Sequence, residues 1–177
     1  MSLRSWGCIL SLLVGAPLSA QTAGRPARPG VAVLNLRFDG AHATVPEPGD
    51  TAVAAAATSK LAATLLASEH LTLIDSARVA AAVSAAEADG NLCDAGCAVA
   101  VGRALGAQWV VRGTVAKTSN LVWILTGELL DVAAGRPVLA DGYELKGDAR
   151  TIAPAGAHVF AQRVERAVAE RQAAAAR

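Results

Sequence analysis

Apolar runs alternate with helically spaced apolar positions over the first hundred residues of the chain. A short, mostly apolar run at 31–36 predicts a buried strand. Residues 51–68 carry apolar side chains four positions apart, which predicts a helix capped by Asp50 or Thr51. The same signals predict three further elements: a strand at 71–75, a short helix capped by Ser76 and a helix at 98–106 that stops at Gly106.

From Gln108 onward the apolar spacing changes to two, which predicts three consecutive strands joined by short turns. We expect a three-residue first turn at 118–120, with Asn120 in the left-handed conformation, and a second turn at 133–136. This register gathers apolar residues on one face of the sheet. It places Val115 opposite Trp123, Gly113 opposite Leu125 and Trp109 opposite Leu129.

The last predicted element is a helix from about Thr151 to Gln172, with a frayed tail at 173–177. Pro154 is tolerated in a first turn, so we expect the regular helix to begin there. The predicted order is β-α-β-α-α-β-β-β-α. Strands joined through helices prefer parallel pairing, and strands joined by short turns must be antiparallel. We therefore expect an α/β (α+β-like) fold with a mixed five-stranded sheet and helices mainly on one face.

The first twenty residues have the pattern of a secretory signal peptide. Arg4 precedes an apolar run that is too short to span a bilayer, and Pro17 breaks it. We expect cleavage after Ala20, with an uncleaved membrane anchor as the alternative. Residues 21–30 are rich in Pro, Gly and Arg and predict a flexible linker, followed by a single globular domain over 31–172. The expected location is periplasmic or secreted, in a bacterium of the Gram-negative type.

Composition excludes several classes of function. The chain has 177 residues, of which 53% are hydrophobic and 18% charged, and its formal charge is +1. Nucleic-acid binding and polybasic membrane attachment both need clustered cations, so we predict neither. No segment after the signal peptide is long and apolar enough to span a membrane, so we predict no integral span in the mature chain.

Cys93 and Cys97 are the cysteines that remain after cleavage. An even number of cysteines in an exported chain predicts a disulfide, here a tight bridge at a helix entrance. A redox role for Cys93 is an alternative, although the spacing is not C-x-x-C. Two thiolates alone would lack two ligands for zinc.

Two further groups of residues are candidate sites. The segment 37–50 follows the first strand, where ligands often bind in α/β sheets, and it could hold a small ligand or a divalent metal; the alternative is an ordinary solvated loop. The strand that starts near Val122 has apolar residues on both faces, which predicts either a partner surface or a strand covered within the monomer. The candidate ligand-loop residues are Asp39, His42, Glu47 and Asp50, and the candidate partner-surface residues are Val122, Ile124 and Leu130.

Three segments form a connected pattern: LTLIDSARVAAAV, CAVAVGRALGAQWVVRGTVAKTSN and LTGELLDVAAGRPV. Over residues 31–150 the chain resembles the small envelope domains related to the amino-terminal domain of TolB, to CsgG and to the lipoprotein LpoB. It is most similar to uncharacterised exported bacterial domains in which a cysteine pair precedes the G-R-A-L-G-A helix. The matching residues are Asp75, Ala98, Val101, Gly102, Leu105, Gly106, Ala107, Gln108, Gly113, Val115, Asp131 and Gly135.

Domains of this kind act by contact, so the resemblance implies an envelope accessory protein that docks on another protein. The sequence contains no G-x-S-x-G, G-x-G-x-x-G or P-loop motif, and we predict no enzyme activity and no cofactor. The leading hypothesis is an exported, non-enzymatic binding domain that docks on an envelope protein or assembles with itself. The alternatives are a periplasmic small-ligand or metal-binding protein that uses residues 37–50, and a thiol enzyme that uses Cys93.

Overall fold

A computed structural model describes residues 28–41, 43 and 47–177. The predicted signal peptide, its cleavage site and residues 21–27 of the linker lie outside this part of the chain. The described residues form six strands and four helices. In chain order these are β1 (Gly30–Val33), β2 (Arg37–Asp39), α1 (Asp50–Leu66), β3 (Thr72–Leu73), α2 (Ser76–Ala86), α3 (Ala95–Leu105), β4 (Trp109–Lys117), β5 (Val122–Asp131), β6 (Arg136–Lys146) and α4 (Ala149–Ala175).

The strands form one mixed sheet in the order β3-β1-β4-β5-β6, which confirms the predicted fold class. Strands β3 and β4 pair in parallel with β1, and β5 and β6 continue the sheet as antiparallel strands. The sixth strand was not predicted: β2 falls within the segment expected to be a loop. It pairs in parallel with Thr114–Ala116, because β4 is longer than β1 and its second half offers a free edge.

The two longest helices, α1 and α4, share one face of the sheet, and the shorter helices α2 and α3 cover part of the other, so the helices lie mainly on one face, as predicted. Because strand residues alternate between faces, one strand contributes to both cores. The core under α1 and α4 includes Val31, Val33, Leu61, Leu65, Val111, Val115, Leu125, Leu129, Phe160 and Val164. The core under α2 and α3 includes Ala32, Leu34, Val79, Cys93, Ala98, Val101, Val110, Leu130 and Val132.

The predicted register of β4 and β5 is wrong by two residues. Val115 lies opposite Leu125, and Lys117 lies opposite Trp123. The connection is longer than expected because the amides of Thr118 and Ser119 both donate to the carbonyl oxygen of Val122. None of the described non-glycine residues, Asn120 included, has a positive φ. An offset of two keeps every side chain on its predicted face, so the hydrophobic pattern alone could not distinguish the two registers.

The remaining pairs of that predicted register are corrected in the same way. Gly113 lies opposite Gly127, and Trp109 lies opposite Asp131. The close approach at Gly113 depends on this pairing, since a Cβ added there would lie 2.1 Å from the backbone oxygen of Thr126. A glycine is therefore required at this position of the β4–β5 pair.

The helix starts differ from the predicted ones because neighbouring acids and glycines supply the caps. Helix α1 follows Gly49, which has φ 97° and leaves Asp50 as the first helical residue rather than the cap. Asp75, not Ser76, caps α2 by accepting from the amide of Arg78. Helix α3 begins at Ala95, and it ends at Gly106 in the left-handed conformation, as predicted.

Helix α4 begins five residues before Pro154, which contradicts the predicted start. The carboxylate of Asp148 accepts from the amide of Arg150 and, at 2.8 Å, from the hydroxyl of Thr151, so a complete first turn forms ahead of the proline. Pro154 therefore lies in the second turn, where the helix loses one backbone hydrogen bond. The helix continues to Ala175, into the segment predicted to fray.

Candidate functional site

A disulfide joins Cys93 to Cys97 at the entrance of α3. Two carboxylates hold the same segment: Asp94 accepts from the amide of Cys97 at 2.8 Å, and Glu87 accepts from the amide of Cys93 at 2.7 Å. Cys93 is buried in the core under α2 and α3. The bridge therefore fixes the end of the α2–α3 connection against the sheet.

The most buried charge in the described part of the chain is the ammonium group of Lys117, at the end of β4. Its side chain is 0% exposed, and Nζ lies 3.0 and 3.2 Å from the two carboxylate oxygens of Asp50 and 3.4 Å from Oε2 of Glu47. It also lies 5.6 Å from the ring centroid of Trp123, within the range of a cation–π interaction. This cluster ties β4 to the first turn of α1.

Burial by itself would raise the pKa of Asp50. The hydrogen bond from the amide of Glu47, the hydrogen bond from Lys117 and the positive charge of Lys117 together outweigh burial, and the pKa lies below its ordinary value of 3.8. Asp50 is therefore a carboxylate at neutral pH, and Lys117 neutralises it.

The structure does not bring Asp39, Glu47 and Asp50, the described members of the predicted ligand loop, together as a metal site. Glu47 and Asp50 both bind Lys117, whereas Asp39 accepts from the amide of Ala41 at 2.9 Å. His42 lies outside the described residues. Among the residues that are described, no group of three or more His, Cys, Asp or Glu side chains is placed to hold a metal ion. A cation already occupies the position between the two carboxylates of Glu47 and Asp50.

The predicted partner surface is divided by the sheet packing. Leu130 is fully buried in the core under α2 and α3, so it belongs to no open surface. Val122 and Ile124 are half-buried at the other end of β5, on the same face. The neighbouring side chains on that face of β4 and β5, Thr114 and Thr126, hydrogen-bond to each other at 2.7 Å. The uncovered part of this face is thus partly polar.

A cavity of about 560 Å³ lies between α2 and the sheet, beside the disulfide. Its walls combine apolar side chains with two arginines. The lining residues are Leu34, Asn35, Arg37, Val79, Ala80, Val83, Ser84, Glu87, Ala88, Cys93, Arg112 and Gly113.

A second feature is the outer edge of β6, the last strand of the sheet, which pairs with β5 on one side. Between this strand and the first half of α4 lies a groove of about 560 Å³, lined largely by apolar side chains. Tyr143 and Asp141 anchor the strand: the Tyr143 hydroxyl donates to Asp141, which also binds Arg163 of α4, each at 3.1 Å. The groove residues are Gly142, Tyr143, Glu144, Leu145, Lys146, Ile152, Ala155, Gly156 and Val159.

Residues 29–163 match the family model DUF3280, whose description reads "Protein of unknown function (DUF2380)". The chain belongs to this family. A search of curated proteins returned no significant match. None of the described helices of this family member is long and apolar enough to cross a membrane.

Solved structures of three bacterial proteins are similar to this chain. The LpoB C-terminal domain from Salmonella enterica is 18% identical, with 72% of this chain and 89% of that chain covered and a TM-score of 0.49. The PelC dodecamer from Paraburkholderia phytofirmans is 18% identical, with 80% of this chain and 87% of that chain covered and a TM-score of 0.46. TolB from Acinetobacter baumannii is 16% identical over 80% of this chain and 28% of that chain, with a TM-score of 0.49. LpoB is one of the three proteins that the sequence of this chain resembles. The resemblance to CsgG and to the amino-terminal domain of TolB stays a prediction.

Sequence reasoning did not single out three cations that the structure places at these sites: Arg37, Arg112 and Lys117. The signal for Lys117 was present, because it continues the alternate positions of Val111 and Val115 and must face the same core. Arg37 could not be placed, because its strand was not predicted.

Proposed function

We propose that this protein is a non-catalytic accessory of the bacterial envelope that binds an extended segment of another envelope protein along the edge of β6 with which no other described strand pairs. The observation that carries the proposal is that this edge lies next to an apolar groove. An extended segment that adds to a sheet edge gains main-chain hydrogen bonds, and pockets beside the edge select its side chains.

The edge is long enough for such an addition. Strand β6 has 11 residues, and its partner β5 has 10. Gly142 lies in the middle of this edge, and a Cβ added there would meet no heavy atom within 4 Å. The face of the sheet at Gly142 is therefore open beside the centre of the edge.

The groove defines the chemistry of the partner. Side chains of an added strand alternate between faces, so every second one would point towards α4. On that side lie Tyr143, Leu145 and Ile152, and Val159 is 45% exposed. Among the described residues that line the groove, the one cation is Lys146, which is bound to Glu144 at 3.1 Å. We expect the partner segment to present two apolar side chains at positions i and i+2.

Three observations support the envelope as the site of action. The first twenty residues have the pattern of an export signal, and the disulfide suits an oxidising compartment. The sequence also resembles envelope domains that act by contact. The metal-binding alternative is less favoured, because Lys117 occupies the carboxylates of Glu47 and Asp50.

Site-specific photocrosslinking in intact cells tests the proposal. A photoreactive residue replaces Val159 in the groove and, as a matched control, Leu66, which is 71% exposed and lies outside the groove. We expect an adduct from position 159 that is absent from position 66. Mass spectrometry should place the crosslink within an extended apolar segment of one envelope protein.

A synthetic peptide that covers the crosslinked segment is then titrated against purified protein. Val159→Lys should weaken binding at least about tenfold, because it introduces a charge into an apolar contact, and Leu66→Lys should leave binding unchanged. An adduct between two copies of this chain would replace the proposed partner with self-assembly. Equal effects of the two lysine variants would overturn the groove as the binding site.

A further inference from the structure

The cavity beside the disulfide lies in a part of the fold where ligands commonly bind. Strand β1 ends at Val33, and Leu34 and Asn35, which line the cavity, follow directly. In open α/β sheets, ligands bind outside the carboxyl ends of parallel strands, where successive connections leave on opposite faces. Here the chain after β1 passes to α1 on one face, and α2 lies on the other.

The walls of this cavity are apolar on the side of α2. Val79 is 2% exposed, and Val83 packs against the same core. Leu34 forms the apolar part of the opposite wall. The volume of about 560 Å³ falls within the range of roughly 300–1,000 Å³ that is typical of small-molecule sites.

The polar side of the cavity is cationic. Among the described residues Arg37 makes no ion pair, and Arg112 uses one of its five donors on Glu128, at 3.2 Å. Glu87 is the acidic residue of the lining, and its carboxylate accepts from the amide of Cys93. Arg37 and Arg112 therefore both line the cavity together with the apolar residues of α2, and Arg112 has donors that Glu128 does not use.

We propose that this cavity binds a small amphiphilic carboxylate, with its apolar body against α2 and its charged group at Arg37 and Arg112. A guanidinium group binds a carboxylate through two parallel hydrogen bonds, which gives this head group a geometric advantage over a hydroxyl group. The apolar wall contributes the remaining affinity through buried area. This site is separate from the β6 edge, so its existence does not depend on the proposed partner.

Isothermal titration calorimetry with decanoate tests the inference on the folded, disulfide-bonded protein. We expect saturable binding of decanoate below its micellar concentration. Decanol supplies the same apolar body without the charge, and acetate supplies the charge without the body. Both should bind at least about tenfold more weakly, because each loses one of the two contributions.

Variants locate the binding. Arg37→Gln should weaken decanoate binding about tenfold, because a charge-assisted hydrogen bond is lost, whereas Arg136→Gln, on the exposed start of β6, should not. Val83→Phe should weaken binding by enlarging a side chain of the apolar wall, and unchanged melting temperatures of Arg37→Gln and Val83→Phe would show that the loss of affinity is not caused by unfolding. The inference is overturned if decanoate does not bind, if decanol binds as tightly, or if Arg37→Gln and Arg136→Gln behave alike.

Discussion

Replacing Asp50 by asparagine should destabilise the fold strongly, because the change leaves the ammonium group of Lys117 buried beside a neutral amide. The substitution preserves the size of the side chain and keeps an oxygen that can accept from the amide of Glu47. What it removes is the negative charge 3.0 Å from Nζ of Lys117. The perturbation is therefore electrostatic, with little change in packing.

The structure sets the size of the effect. Breaking a buried ion pair by removing one partner costs about 3–5 kcal/mol, and Lys117 is 0% exposed. Glu47, at 3.4 Å, still compensates part of the charge, although its side chain is 52% exposed. We therefore expect a loss near the lower end, about 3 kcal/mol in the free energy of unfolding. For a chain of this length that corresponds to a melting temperature lower by about 6–12 °C.

Urea denaturation of four proteins measures this effect: the wild type, Asp50→Asn, the double variant Lys117→Met/Asp50→Leu, and Lys146→Met. The double variant removes both charges and should lie within about 1 kcal/mol of the wild type. Lys146 forms an exposed pair with Glu144, so Lys146→Met should change stability by less than about 1 kcal/mol.

The effect should also depend on pH in a defined direction. Because the pKa of Asp50 is lowered in the folded state, its contribution to stability is fully present above the ordinary value of 3.8 and is lost as the pH falls through the lowered pKa. The difference between wild type and Asp50→Asn should be constant above about pH 5 and shrink below it. A difference under 1 kcal/mol at pH 7, or a double variant as unstable as Asp50→Asn, would refute the reasoning.

Two further predictions concern the disulfide and the close approach of β4 to β5 at Gly113. The double variant Cys93→Ala/Cys97→Ala should lose about 2 kcal/mol in urea denaturation, because so short a loop restricts the unfolded chain modestly; a midpoint identical to that of the oxidised protein would contradict a stabilising bridge. Gly113→Ala should cost more than about 2 kcal/mol, because its Cβ would lie 2.1 Å from the backbone oxygen of Thr126. Gly142→Ala meets no atom within 4 Å and should change stability by less than about 0.5 kcal/mol, so equal losses in the two glycine variants would disprove the steric argument.

The hydrophobic pattern predicted the faces of the strands better than their pairing. Val115, Leu125 and Leu129 point to the core under α1 and α4, as expected from alternation. The register of β4 and β5 was nevertheless wrong, because an even offset satisfies the same alternation. The hydrogen bonds of Thr118 and Ser119 to Val122 fix the offset, and the pattern of apolar residues carries no information about them.

The candidate site shows the same division between local and long-range information. Cys93 and Cys97 could be paired from composition and compartment, because they lie four residues apart. From the sequence, the acids Glu47 and Asp50 suggested a ligand loop. Their cationic partner, Lys117, could not be recognised because it lies 67 residues beyond Asp50 in the chain. The fold brings Lys117 to them, and both acids form ion pairs with it.

The sequence by itself determined the class of fold, the helices and most strands, and the turn chemistry at Gly106 and Gly135, because each of these depends on spacing and conformational preference within a few residues. Tertiary structure alone decided the sixth strand, the register of β4 and β5, and the presence of Arg37 and Arg112 in the lining of one cavity. Those features depend on which distant segments meet, and the free energy of such contacts is set by the packed sheet rather than by any local run of residues.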